Sequence, residues 1–339
     1  MYPGAAPETG SQATDFYPDA PRPNTVITKC DLHGSALGYS GSMGNAIRIT
    51  GNHIYGNSTG IASDTLSSAG HPGFPADSSE IDHNYIYANN LDLYREDTPV
   101  PPLVGVPIGT GILYAGMNDA RVHDNYIFDN WRDGTMLFAV PDAAVSGGGA
   151  EGDIFPGISC PGAPANGLST SCGNQYFRNR VGRAPYGFRY PRSIDLFGNV
   201  HAPDDGRPEK PNGNDFWWGE FFTQNTGNCW FGNTGSDGTA ASVTGPGEAG
   251  RLPGNAPQVL PSDCATSVGN NDIAKLVYLL DCGDGPDEDT GPGDCDWWTL
   301  PSQPGTTAHG SLLSGVGAAR FEESPEVDAL RKRVAELYP

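Results

Sequence analysis

The chain predicts an all-β solenoid, and three observations predict it: a short motif recurs, its units alternate apolar and polar residues, and the composition is turn-dense. The motif is clearest in Asn52-His-Ile-Tyr-Gly-Asn57, Asn84-Tyr-Ile-Tyr-Ala-Asn89 and Asn125-Tyr-Ile-Phe-Asp-Asn130. Further copies begin at Cys30, Asn179 and Asn228. The residue two after the lead is apolar in all of them (Leu32, Ile54, Ile86, Ile127, Val181, Trp230), and the residue three before is apolar in the earlier ones (Ile27, Ile49, Ile81, Val122). The shortest step runs from residue 30 to residue 52, and later steps read as that unit plus insertions. A recurring unit of this size marks a stack of small elements, none of which buries a core alone.

Within a unit the elements follow in order. Asn45-Ala-Ile-Arg-Ile-Thr50 alternates, so Ile47 and Ile49 share one face of a strand and Arg48 and Thr50 the other. Gly51-Asn52 then turns the chain, because both residue types tolerate a left-handed backbone. His53-Ile-Tyr55 alternates again with Ile54 inward. Stacked units merge the inward Ile, Val and Leu positions into one core, and lead asparagines one strand spacing apart can bond as a ladder. Cys30 stands at a ladder position, where a buried thiol replaces the amide.

The repeat resembles that of the right-handed parallel β-helix, as found in the pectate-lyase-like superfamily, over roughly residues 24–235. The stretches AGHPGFPADS (69–78), VGVPIGTGILYAG (104–116), WRDGTMLFAVPDA (131–143) and NDFWWGEF (214–221) are similar to insertions of secreted actinobacterial β-helix repeat proteins. The resemblance implies a fold. It names no reaction, because this scaffold carries lyases, hydrolases and binding proteins alike.

The resulting organisation is an extended segment over 1–23, a β-helix with long inserted loops over 24–235, and a disulfide-tied C-terminal cap over 236–339. The cap's helices are expected at 271–280, with Ile273, Leu276, Val277 and Leu280 on one side, and from Ser324, with Val327, Leu330, Val334 and Leu337 as a stripe. Between them, Cys282–Cys295 encloses Asp284, Asp287, Glu288, Asp289 and Asp294. Calcium suits such oxygens, but the EF-hand order is absent, so a solvated acidic hairpin is the expectation and calcium the alternative. No other cofactor is implied.

A net charge of −21 argues against a nucleic-acid partner. It also disfavours a highly anionic polysaccharide unless a local basic groove overrides the mean field. No apolar run approaches the ~20 residues of a membrane span. The first residues, MYPGAAPETG, lack the basic and apolar regions of a signal peptide. The seven cysteines, without C-x-x-C spacing, nevertheless fit disulfides in an oxidising compartment. Cys160/Cys172, Cys229/Cys264 and Cys282/Cys295 are the pairings that spacing suggests among several. Secretion or a cell-surface location is therefore expected. We hypothesise that this chain is the C-terminal part of a longer precursor carrying the signal and earlier rungs; a stop codon just upstream of Met1 would sink that.

Strand alternation names the outward residues. On the first strand these are Thr28, Thr50, Asp82, His123 and Phe177 in one column, with Val26, Arg48, Glu80, Arg121 and Gln175 in another. On the second strand they are Asp31, His53, Tyr85, Tyr126 and Arg180, then His33, Tyr55, Tyr87 and Phe128. Neighbouring rungs thus set Asp82 beside His123 and Glu80 between Arg48 and Arg121, within bonding reach. His123 as base, Arg121 as carboxylate clamp and Asp82 as orienter would suit proton abstraction from a uronate, the chemistry the resemblance implies. The same residues would equally form a plain ladder of cross-strand charge pairs.

Glu80, Tyr55 and Tyr87 are candidates for substrate contact, and stacked aromatics are also what sheets favour by propensity. In the inserted loops, Asp215, Trp217 and Trp218, with His71, Asp142 and Glu220 nearby, could form a sugar subsite; carboxylates facing across a groove would suit glycoside hydrolysis. Phe216-Trp217-Trp218 could instead cover the solenoid flank. The expectation is a secreted protein that binds or cleaves polysaccharide or a cell-surface glycan, as a lyase or hydrolase. The alternative is a non-catalytic surface, spike or adhesion protein. Nothing in the sequence sets the oligomeric state.

Overall fold

The computed structural model describes residues 23, 25–42, 47–64, 76–99, 106–139, 171–195, 197–201, 209–219, 226–235, 243–244, 258–265 and 296–304. Three parallel sheets of short strands are their main elements. The first sheet stacks Thr25–Thr28, Ile47–Thr50, Glu80–Asp82, Arg121–His123, Gln175–Phe177 and Cys229–Phe231. The second stacks Asp31–His33, His53–Tyr55, Tyr85–Tyr87, Tyr126–Phe128 and Arg180–Val181. The third stacks Leu37–Ser42, Thr59–Asp64, Thr110–Ala115, Asp133–Phe138 and Asn214–Gly219. The chain visits the sheets in turn, each circuit adding one strand to each, so the architecture is all-β and β-helix-like.

The register is the one the repeat dictates. Ile27, Ile49, Ile81, Val122, Tyr176 and Trp230 stand in one inward column. Leu32, Ile54, Ile86, Ile127 and Val181 form the next. With Tyr39, Ile61, Ile112, Phe216 and Trp218 of the third sheet they make a single core. Each fully buried isoleucine contributes roughly 1.5–3 kcal/mol relative to exposure.

Two long asparagine ladders run along corners of the stack, and Asn174 with Asn228 forms a short third. Asn52, Asn84, Asn125, Asn179 and Asn233 follow the first strand; Asn57, Asn89, Asn130 and Asn212 follow the second. Asn84 shows the bonding: its Oδ1 accepts from the backbone and side-chain N–H of Asn52, while its Nδ2 donates to Ile49 O and Asn125 Oδ1. The buried amide is thereby fully satisfied, as burial requires. Cys30 occupies the first ladder position as a half-buried free thiol, and its backbone N–H takes the Asn52 oxygen.

Two expectations are corrected. The last copy leads with Asn233, because Cys229–Phe231 pairs with Gln175–Phe177 of the first sheet and Asn179 bonds to Asn233. Asn-x-x-x-x-Asn recurs in two phases, so spacing alone cannot separate them. More importantly, the stretches 104–116, 131–143 and 214–221 are not simply inserted loops: each contains a strand of the third sheet. A Cβ on Gly60 would lie 2.5 Å from Gly111 O and 2.9 Å from Asn89 Nδ2, and one on Gly111 would meet Gly134 O at 2.5 Å and Asn130 Nδ2 at 2.9 Å. The third strand thus passes directly over the second ladder, which only glycine permits.

Cys229 is disulfide-bonded to Cys264, and Cys172 is also in a disulfide. The expected helices, the Cys282–Cys295 segment, Cys160 and residues 1–22 lie outside the described residues, as does most of 69–78. Described C-terminal pieces pack on the stack: Trp230 N–H donates to Pro261 O, Ile108 N–H to Trp297 O, and Arg132 Nη2 to Thr299 O. Among the described residues no helix is long and apolar enough to cross a membrane.

Candidate functional site

On the outer face of the first sheet, Asp82 stands directly opposite His123, and Glu80 lies between Arg48 and Arg121. The expected neighbours are therefore present, but the bonds run diagonally. Arg48 reaches past Glu80, 3.9 Å from its Nε, to hold Asp82 with both Nε (2.9 Å) and Nη2 (3.0 Å). Two parallel bonds to a carboxylate match the guanidinium fork better than one. Thr50 Oγ1 and His83 Nδ1 also bond Asp82, each at 2.8 Å. Burial alone would raise the Asp82 pKa; the bonds from Arg48, His83 and Thr50 outweigh it and bring it down to about 2.

His123 is consequently not oriented by Asp82. Its Nδ1 lies 2.8 Å from Asp124 Oδ2 and its Nε2 3.0 Å from Glu80 Oε1, while its ring stacks on Phe177 at 4.6 Å. A ring facing a carboxylate oxygen on each nitrogen satisfies both bonds only as the imidazolium. Asp124 is held in turn by Arg178 through two bonds of 2.8 and 2.5 Å. Those bonds keep its pKa well below the usual carboxylate range, against a smaller opposing contribution from burial. Arg121 is more than half exposed, 4.0 Å from Glu80.

Glu80, Asp82 and His123 offer donor atoms within 4.8 Å of one another. They do not fit calcium. Arg48 occupies both Asp82 oxygens, Glu80 is taken up by His123, and two guanidiniums stand within 4 Å of Glu80. Calcium calls for ~6–8 oxygens.

The other predicted contact residues are placed differently. Tyr55 and Tyr87 do stack in the expected column, His33 to Tyr55 at 5.0 Å, Tyr55 to Tyr87 at 5.1 Å and Tyr87 to Phe128 at 5.1 Å. They are buried, because Phe188 and Tyr190 lie across them, and burial raises the phenol pKa of both. Trp218 points into the core and Trp217 is buried edge-on against Phe138, so neither offers a sugar platform. Asp215 accepts a bond from Asn212 Nδ2 and finishes the second ladder, at the position where earlier rungs need glycine. His71, Asp142 and Glu220 lie outside the described residues.

Sequence reasoning missed the corner between the first and second sheets. There His83, Asp124, Arg178 and Gly232 precede the ladder asparagines with φ of 56°, 54°, 54° and 64°. With Tyr85, Tyr126, Arg180 and Thr234 they line a shallow groove of about 420 Å³. Tyr85 stacks on Tyr126 at 5.3 Å, and Arg180 lies over Tyr126 at 5.0 Å while donating to its hydroxyl. The signal was available: the residue before each lead asparagine must turn left-handed and so must face solvent.

Compared with protein-family models, curated proteins and solved structures, the chain matches none of them. The class that fold and site define is a parallel three-sheet β protein with an ion-paired, arginine-rich corner.

Proposed function

We propose that the chain is a right-handed β-helix that binds an acidic polysaccharide along the corner between its first and second sheets. One observation carries this. Arg48, Arg121, Arg178 and Arg180 gather on one face and its adjoining corner against Glu80, Asp82 and Asp124, in a chain whose net charge is −21. Rungs ~4.8 Å apart then offer guanidiniums beside the stacked rings of Tyr85 and Tyr126 to an extended anionic chain. Right-handedness follows from the strong bias of crossovers between parallel strands. The Cys229–Cys264 disulfide supports secretion, and the contact of Pro261 with Trp230 supports a C-terminal cap over the last rung.

Cleavage is a second step on the same surface. Arg121 would neutralise a uronate carboxylate, and His123, released from one of its carboxylate partners, would take the α proton as the C4–O bond to the leaving sugar breaks. Against catalysis stands the engagement of both His123 nitrogens, which favours binding without cleavage on a surface or adhesion protein.

The test is an acidic-glycan binding panel, followed by digestion with mass spectrometry of the products, with and without EDTA. Binding should weaken with salt and with Arg178→Ala combined with Arg180→Ala. Unsaturated uronate ends would establish a lyase at His123 and Arg121, and fragments carrying added water a hydrolase. Binding without fragments would leave the protein a glycan binder. Failure to bind any acidic glycan would end the proposal.

A further inference from the structure

At the other corner, between the second and third sheets, the chain encloses a pocket of about 360 Å³. It exists because the turn positions there are small. Gly34, Gly56 and Ala88, at φ of 71°, 62° and 51°, put little or no side chain into the space. The segment that crosses the second sheet, held on its aromatic column by Phe188 and Tyr190, continues over this corner as the roof through Ser193, Ile194 and Phe197. Tyr55 and Trp131 also line it.

The charge around the pocket is one-sided. Its carboxylates are Asp92, Asp129 and Asp195. Its one guanidinium is committed elsewhere. Arg95 gives Nε and Nη2 to Asp97 and lays its flat face over Phe197 at 4.3 Å. Asn90 gives its amide hydrogen to Asp129 O and accepts from Trp131 N–H. Asp129 holds the walls together, accepting from Trp131 Nε1 at 2.9 Å and from the Tyr190 hydroxyl at 2.5 Å. Asp92 accepts the Tyr94 N–H with one oxygen and is only partly buried. Asp195 accepts from the backbone N–H of Phe197 and Asn199 and from Asn199 Nδ2. What a ligand meets is aromatic surface edged by negatively charged carboxylates.

A flat ring with C–H faces and a rim of hydroxyl donors is complementary to such a lining, and a negative charge is not. We propose that this pocket binds a single hexose unit that carries no negative charge. The volume is at the lower end of ligand pockets, ~300–1,000 Å³, which suits a sugar ring rather than a polymer track. The site is separate from the arginine corner, takes the opposite kind of sugar, and can fail or hold independently of it.

Saturation-transfer NMR on the full chain tests this, with methyl hexosides of glucose, galactose and mannose set against glucuronic and galacturonic acids. At least one neutral hexoside should receive saturation, strongest on the C–H protons of one ring face. The uronic acids should bind roughly tenfold more weakly, because like charges are brought together. Trp131→Ala should weaken the hexoside about fivefold through lost stacking. Ser193→Trp, which fills the pocket from its roof and leaves the stacked core untouched, should abolish it in a chain of unchanged melting temperature. Arg178→Ala with Arg180→Ala should leave hexoside binding as it was. No saturation of any neutral hexoside, uronic acids bound as tightly, or hexoside binding that survives Ser193→Trp in the folded chain would each overturn the proposal.

Discussion

The two corners of the stack are built on the same backbone and end as opposite surfaces. At each, a left-handed residue ends the strand: Lys29, Gly51, His83, Asp124, Arg178 and Gly232 at the first corner, Gly34, Gly56, Ala88, Asp129 and Gly182 at the second, and a ladder asparagine follows in all but three, where Cys30, Ser35 and Arg183 stand. The first mostly spends this position on long polar side chains, which pair with one another and leave the corner open. The second mostly uses glycine or alanine, leaving a low surface that a later segment covers with aromatic rings. The ladder makes the corner, and the one residue before it decides whether that corner meets solvent or chain.

The largest expected effect breaks what the corners share. Asn84→Ala removes an amide making four bonds and strands buried partners on the rungs either side, so unfolding free energy should fall by roughly 4 kcal/mol. Chemical denaturation with intact disulfides measures it. Gly60→Ala comes next. Its Cβ would overlap backbone as well as the Asn89 amide, and a loss of about 3 kcal/mol is expected by the same measurement. Gly56→Ala, with nothing within 4 Å of its Cβ, meets only the left-handed strain and should lose about 1 kcal/mol.

A pH titration sharpens the charged corner. The Asp82 pKa is held down to about 2, so its contribution to stability is complete above the ordinary carboxylate range and is lost as pH falls towards 2. Arg48→Met should therefore lower the melting temperature at pH 6, and its difference from the parent chain should shrink steadily between pH 4 and pH 2. A difference that stays constant would mean that the pair does not set the Asp82 titration.

The smallest effect is a gain. Ala88 holds φ of 51° with a single methyl at the edge of the aromatic cluster, and Ala88→Gly should stabilise by about 1 kcal/mol, relief of the left-handed strain outweighing the lost methyl contact. The same change at His83 would remove a bond to Asp82, so its relief should be partly offset.

Much of the stack was legible in the sequence. The inward columns, the ladder leads from residue 30 to residue 179 and the facing of Asp82 with His123 all follow from a strand period of two and a fixed unit. The third sheet was not, because TGILYA and DGTMLF are buried on both faces and show no alternation. The bonding of the site escaped for another reason. Register fixes which Cα atoms face each other, but a guanidinium reaches beyond its opposite number, so Arg48 chose Asp82 and left His123 to Glu80 and Asp124.

The sequence by itself determined the repeat, because a buried asparagine amide and an inward isoleucine are satisfied only by a like rung above and below. Tertiary structure alone decided which outward rows remain outward. Tyr55 and Tyr87 have the pattern of an exposed column, yet residues about a hundred positions later lie across them. Burial by a distant segment depends on where the chain returns, and a local period does not encode that.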